Sequence, residues 1–144
     1  MYLLTSVSED EFDTLSDIWE ASVRATHGFL SEEDFQFFRG IVRSGIFRHV
    51  TVTGLRDTSG QLHGFSGVEG GSLEMLFLHP ETRGKGAGKQ LLLHAIEQQG
   101  VTKVDVNEQN DDALGFYRHF GFNVASRSET DGMGKPYPIL HLSR

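Results

Sequence analysis

The 144 residues carry 20 acidic and 13 basic side chains, a formal net charge of −7 and 38% hydrophobic residues, which suits one globular domain with a substantial core. That acidic balance argues against nucleic acid as the main partner, because affinity for phosphate backbones rests on clustered Lys and Arg. The chain contains no cysteine, so disulfides, zinc–thiolate centres and a cysteine nucleophile are excluded.

The segment YLLTSV, residues 2–7, reads as a short first strand. A capping box at Ser8 and Glu11 starts a helix near residue 9. Phe12, Leu15, Ile18, Trp19 and Ser22 follow at three- and four-residue spacing and form its buried stripe. Gly28 interrupts the pattern, and Ser31 caps a second helix that carries Phe35, Phe38, Ile41 and Val42 and ends at Gly45. From residue 46 the period changes to two, and RHVTVTGLRD and QLHGFSGVEG flank the hairpin turn TSG. LEMLFLH is a dense apolar run of the central-strand kind. Pro80, which cannot donate to a ladder, closes it.

A helix over about 87–99 ends at Gly100, KVDVN is a strand, and a helix spans about 111–119. FNVASRSET and YPILHLS pair as antiparallel strands around the turn DGMGKP. The order β-α-α-β-β-β-α-β-α-β-β predicts a mixed α/β sheet with helices on its faces, in a single domain over 1–144. The segment MYLLTSVSED lacks the basic region and apolar run of a signal peptide, and no run is long enough to cross a bilayer. A cytoplasmic protein with no membrane partner is therefore expected.

The stretch ETRGKGAGKQ, residues 81–90, joins a strand to a helix and has the look of a phosphate loop. A P-loop built on Gly88-Lys89 would need glycine at 83 and a hydroxyl at 90, where this chain has Arg83 and Gln90. A dinucleotide loop would need its third glycine at 89 or 91, which are Lys89 and Leu91. Neither pattern holds. Glycines at 84, 86 and 88 still let backbone amides approach an anion closely. The loop opens a helix, whose first-turn amides are unsatisfied and favour negative charge, and Arg83 and Lys85 add charge of the right sign. The plainer alternative is a flexible turn that merely joins strand to helix.

Arg83-Gly84-Lys85-Gly86-Ala87-Gly88 resembles the Gln/Arg-x-x-Gly-x-Gly/Ala signature of the GNAT N-acetyltransferase superfamily. The later stretch NEQNDDALGFYRHFGF is similar to a second element of that family, with Asn110, Ala113, Phe116, Tyr117, Gly121 and Phe122 in the expected order. SVRATHGFLSEED and DGMGKPYPILHL resemble segments of its YjaB-type bacterial branch. The similarity spans nearly the whole chain. It implies the GNAT fold, with acetyl-CoA as cosubstrate in an opening between the fourth and fifth strands.

By that resemblance, the pyrophosphate lies on the loop Arg83, Gly84, Lys85, Gly86, Ala87, Gly88 and Lys89. The pantetheine amides pair with the backbone of Leu76, Phe77 and Leu78, as an added strand pairs with a sheet edge. Asn110 contacts the cosubstrate near its pantetheine arm, and the same residue suits an ordinary helix cap. Tyr117 is implied as the general acid for the leaving thiolate. Helical spacing alone, with Ala113, Phe116 and Phe120 on the same face, would make it a core aromatic.

Glu74 is a carboxylate within an apolar strand. Burial would raise its pKa and suit it as a base, whereas a solvated strand start would not. A base is needed because a lysine-like amine, with a pKa near 10.4, is mostly protonated at neutral pH, a cost of roughly 4–5 kcal/mol. His27 and Phe29 are candidates for the acceptor side, although a histidine at a helix C-terminus also serves as a dipole partner. Tyr137, between two prolines, is a third candidate there. The histidines show no ligand spacing, so no metal is expected.

The leading function is transfer of the acetyl group of acetyl-CoA to a primary amine, a protein lysine or a small molecule, by direct attack, since no cysteine is available for an acyl-enzyme. The alternative is a non-catalytic acyl-CoA-binding or sensing module, which would keep the loop and not need Tyr117.

Overall fold

The structure, a computed structural model, describes residues 2–144. Strand β1 (Leu3–Ser6) leads to Ser8, whose backbone N–H donates to Glu11 Oε1 at 3.2 Å, as the capping pattern predicts. A 3₁₀ turn at Glu9–Glu11 precedes helix α1 (Phe12–Thr26), so the α-helix proper begins later than expected. Leu15, Ile18, Trp19, Ser22 and Val23 form its buried face. Ser31 caps helix α2 (Glu32–Arg43) by accepting from Asp34 N–H at 3.1 Å.

The period-two pattern expected from residue 46 starts too early. Gly45, at φ 100°, turns the chain into a 3₁₀ segment, Ile46–His49, which delivers Phe47 to the core at 2% exposure. The strand β2 (Thr51–Arg56) begins only after it. Then follow β3 (Leu62–Glu69), β4 (Ser72–Leu78), helix α3 (Ala87–Gln99), β5 (Lys103–Asn107), helix α4 (Asp111–His119), β6 (Asn123–Ser128) and β7 (Ile139–Ser143).

The seven strands form one sheet in the order β1-β2-β3-β4-β5-β7-β6, with β4 and β5 parallel and every other pair antiparallel. The last strand inserts between β5 and β6, a placement that a linear reading of two paired strands does not reveal. The mixed α/β architecture is the expected one. Among the described residues no helix is long and apolar enough to cross a membrane.

One face of the sheet packs on α1 and α2. Leu15, Trp19, Phe35 and Phe47 meet Phe65, Met75 and Phe77 there. The other face packs on α3 and α4, where Leu92, Ala95, Tyr117 and Phe122 meet Leu73, Val104, Val106 and Leu142. Strand β4 serves both layers, and its alternation is reset once. The register pairs Gly67 with Met75 and Val68 with Leu73, so Glu74 is an extra residue with no partner in β3. This β-bulge lets Leu73 and Leu76 share the α3 side although three positions separate them.

Candidate active site

Strands β4 and β5 pair only at Ser72 with Lys103 and Leu73 with Val104. Beyond Leu73, β5 continues its ladder with β7 as far as Asn107, while the β4 edge from Glu74 to Leu78 has no partner on the β5 side. The separation begins at the bulged Glu74. A bulge adds twist and bend to its strand, which is the physical reason the two parallel strands part there. The result is a strand edge along Leu76–Leu78 that is unpaired on the side of β5.

The glycine loop closes one end of that gap. A 3₁₀ turn, Pro80–Thr82, ends the strand, and Gly84 and Gly86 sit at φ 79° and 77°, a region that side chains with a Cβ avoid. A Cβ at either position would meet no atom within 4 Å, so their outer sides are open. Gly86 is the N-cap of α3 and provides no side-chain cap. The first bond of the helix runs from Gln90 N–H to Gly86 O at 3.1 Å, which leaves the amides of residues 87–89 without a helical acceptor. Gln90, where a P-loop would carry its hydroxyl, instead donates from Nε2 to the Tyr2 carbonyl at 3.1 Å.

Helix α4 forms the opposite wall. Asn110 accepts from Ala113 N–H through Oδ1 at 3.2 Å, so it is the cap that its position suggests, and it also lines the gap. Opposite, a Cβ built on Gly88 would stand 3.5 Å from Phe116 Cζ and 3.6 Å from Leu78 Cδ1. Loop, strand end and helix therefore converge on a cavity of about 350 Å³.

Most of the residues singled out in the sequence meet in this cavity. Leu76, Phe77 and Leu78 supply the strand wall, and Arg83, Gly84, Gly86, Ala87, Gly88 and Lys89 supply the loop. Asn110 and Tyr117 come from α4, and His27 enters from the end of α1. Tyr117 is only 8% exposed, and burial holds its phenol above the usual value, so the group keeps its proton. Tyr117 lines the cavity, and among the described residues no hydrogen bond to its hydroxyl is formed. Tyr117 is a core aromatic, its ring 5.9 Å from that of Phe122, and the same residue lines the cavity.

Four residues behave otherwise. Lys85 does not line the cavity. Glu74 is exposed and does not line the cavity; the bulge turns this side chain out of the apolar run that surrounds it in sequence. Phe29 stands behind His27, ring centroids 5.2 Å apart, and off the cavity wall. Tyr137 is a further layer back, 6.0 Å from Phe29, with its hydroxyl donating to Asp34. His27 also departs from the dipole-partner reading. Burial lowers it to about 4, so the ring is neutral at neutral pH and carries no charge for the helix terminus.

Ser22, Thr26, Asp112, Ala113 and Phe116 line the cavity without having been singled out for it. A signal for the first was present. Ser22 occupies a stripe position that is otherwise apolar, and together with Thr26 and His27 it lies within two turns of one helix end.

A strand edge left open by a bulge, bare amides at a helix mouth and a buried phenol line one cavity. Residues 47–124 match the acetyltransferase (GNAT) domain family. The chain is 40% identical over 134 residues to the peptidyl-lysine N-acetyltransferase YjaB of Escherichia coli strain K12, covering 93% of this chain and 90% of that protein. The solution structure of apo-form YjaB from Escherichia coli superposes with a TM-score of 0.92 at 37% identity, covering 99% of this chain and 97% of the other. The PaiA N-acetyltransferase of Thermoplasma acidophilum, solved in complex with coenzyme A, shares the fold with a TM-score of 0.75 at 24% identity, covering 100% and 99%. The chain belongs to the GNAT acetyltransferase family, and it is an acetyl-CoA-dependent N-acetyltransferase.

Proposed function

We propose that the acceptor is the ε-amine of a protein lysine, acetylated by direct attack on acetyl-CoA with Tyr117 as general acid. Support for the acceptor class comes from the relatives, since YjaB and the 22% identical YiaC of Escherichia coli are both named peptidyl-lysine N-acetyltransferases. A small-molecule amine is the competing acceptor. A cytoplasmic location and a single catalytic domain belong to the same reading. The family match begins at residue 47, while the N-terminal α1 supplies Ser22, Thr26 and His27 to the same cavity.

Acetyl-CoA supplies an activated thioester. The open amides of residues 87–89, with Arg83 and Lys89 beside them, suit its pyrophosphate. Lys85 adds charge from outside the cavity. The free edge of Leu76–Leu78 suits the pantetheine amides in the manner of an added strand, with Asn110 across the gap. The amine nitrogen attacks the thioester carbon, the C–N bond forms and the C–S bond breaks. Tyr117 gives its proton to the departing sulfur. A buried phenol with a raised pKa keeps that proton until charge develops on sulfur.

One observation carries this reading: the glycine loop and Tyr117 line the same cavity. The test is free-thiol release with acetyl-CoA and lysine-bearing peptides or small amines. Tyr117→Phe is expected to lower kcat by about 10² to 10⁴ while coenzyme A affinity holds. Equal turnover in both proteins would favour a non-catalytic binding module or another acid. Acetylation of small amines alone would remove the protein acceptor.

A further inference from the structure

The chemistry also needs a group that takes a proton from the amine, and Glu74, exposed on its bulge, is poorly placed for it. The geometry points to His27: we propose that its Nε2 accepts the proton of the attacking amine. The inference rests on the acetyl-transfer reading above and names the residue on the acceptor side of that site.

Proton counting at the end of α1 assigns the tautomer. Thr26 Oγ1 lies 2.8 Å from the Ser22 carbonyl and 2.7 Å from His27 Nδ1. A carbonyl only accepts, so the single hydroxyl proton of Thr26 goes to Ser22 O. The hydroxyl oxygen is then free to accept, and His27 Nδ1 carries the proton that it donates. The opposite tautomer would leave two oxygen lone pairs facing each other at 2.8 Å with no proton between them. A neutral imidazole protonated on Nδ1 has its lone pair on Nε2. Among the described residues Nε2 has no partner, and it is not sealed from solvent. The ring that carries it lines the same cavity as Tyr117.

The surroundings keep the ring in that state. Phe29 packs against it at 5.2 Å, and the titratable groups that share its cavity are Tyr117, Asp112, Arg83 and Lys89. Burial lowers the imidazole to about 4, so Nε2 remains an acceptor at every pH where free amine is available. Bonding to the carbonyl carbon acidifies the amine N–H, which then passes to Nε2. The C–S bond breaks and Tyr117 protonates the sulfur. The imidazolium proton returns to the tyrosinate through solvent, and amide and free thiol leave with atoms and charge balanced. Thr26 is a positioning residue in this scheme, acting through the ring.

Thiol release is measured with acetyl-CoA and a lysine peptide on wild type, His27→Gln, Thr26→Val and Thr26→Ser, with coenzyme A affinity by calorimetry. His27→Gln is expected to lower kcat about 10²-fold with coenzyme A affinity unchanged. Its deficit should shrink with hydrazine, a weakly basic acceptor that gives up its proton readily. Thr26→Val should show part of the loss and Thr26→Ser should restore activity. Nitrogen-15 imidazole spectra of the wild-type protein need no variant. They should show Nδ1 protonated and Nε2 carrying the lone pair, and the reverse pattern overturns the proposal. Wild-type turnover in His27→Gln overturns it as well, and leaves Tyr117 and the acetyl-transfer reading standing. Failure of the wild type to release thiol with any amine removes the underlying reading instead.

Discussion

The hydroxyl of Tyr137 donates a hydrogen bond to the carboxylate of Asp34, a contact between residues 103 positions apart in the chain. Lys135 Nζ reaches the other oxygen of the same carboxylate at 2.8 Å. The turn between β6 and β7 is thereby fastened to the first turn of α2, behind Phe29 and His27. Tyr137→Phe deletes the donor and leaves the ion pair. It should cost about 1–2 kcal/mol, since the acceptor is charged, which a melting curve reads as a few degrees. Coenzyme A affinity should not change, and a loss of it would mean that this turn reaches the cosubstrate.

Gly86→Ala places a Cβ on a residue at φ 77° that caps α3. No atom lies within 4 Å, so crowding is not the difficulty. The left-handed backbone is, at a cost of about 1–2 kcal/mol. Relaxation of the loop to escape that strain would misalign the open amides of residues 87–89. Calorimetry should show coenzyme A binding weakened by about tenfold, with the far-ultraviolet dichroism of the fold preserved.

Glu11 accepts from Arg56 Nη1 and Nη2 at 2.8 Å each and joins the start of α1 to the end of β2. These hydrogen bonds, with the backbone N–H of Ser8, pull its carboxyl down to about 2. A carboxyl lowered in the folded state adds stability that is complete above its ordinary value of about 4.5 and is lost as the pH falls toward 2. Glu11→Gln should lower the melting temperature at pH 7 by about 3 °C and flatten its dependence between pH 4.5 and 2. An unchanged acid limb would show that the pair is not held in solution.

His27 titrates in the opposite sense. Its folded value of about 4 lies below the ordinary 6.5, so between these limits the unfolded chain binds a proton that the folded chain refuses. Stability from this residue therefore falls as the pH is lowered from 6.5 to 4, and it levels off below. Substituting His27→Gln should remove that slope from the melting temperature. A slope that persists in the variant would assign it to another group.

Much of the site was readable because its chemistry is local. The loop 83–89 is a run of neighbours whose glycines and helix mouth can be recognised without a partner. Helix α3 starts and stops where Gly86 and Gly100 permit, and helix α4 occupies the expected positions 111–119. Asn110 and Tyr117 follow from that helix. Glu74 was misleading for a related reason. Its neighbours are apolar, and only the pairing with β3 reveals that the strand skips this residue and turns it outward.

Composition, periodicity and the glycine spacing by themselves determined the fold class, the order of elements and a glycine loop feeding a helix, since each rests on contacts between residues close in sequence. Tertiary structure alone decided that β7 inserts beside β5, that β4 and β5 part after two residue pairs, and that the end of α1 reaches the cavity of α4. Those outcomes depend on how distant side chains share two faces of one sheet. The hydrogen bond that Thr26 Oγ1 donates to the Ser22 carbonyl bears on which nitrogen of His27 is left free, and no pattern along the chain encodes that.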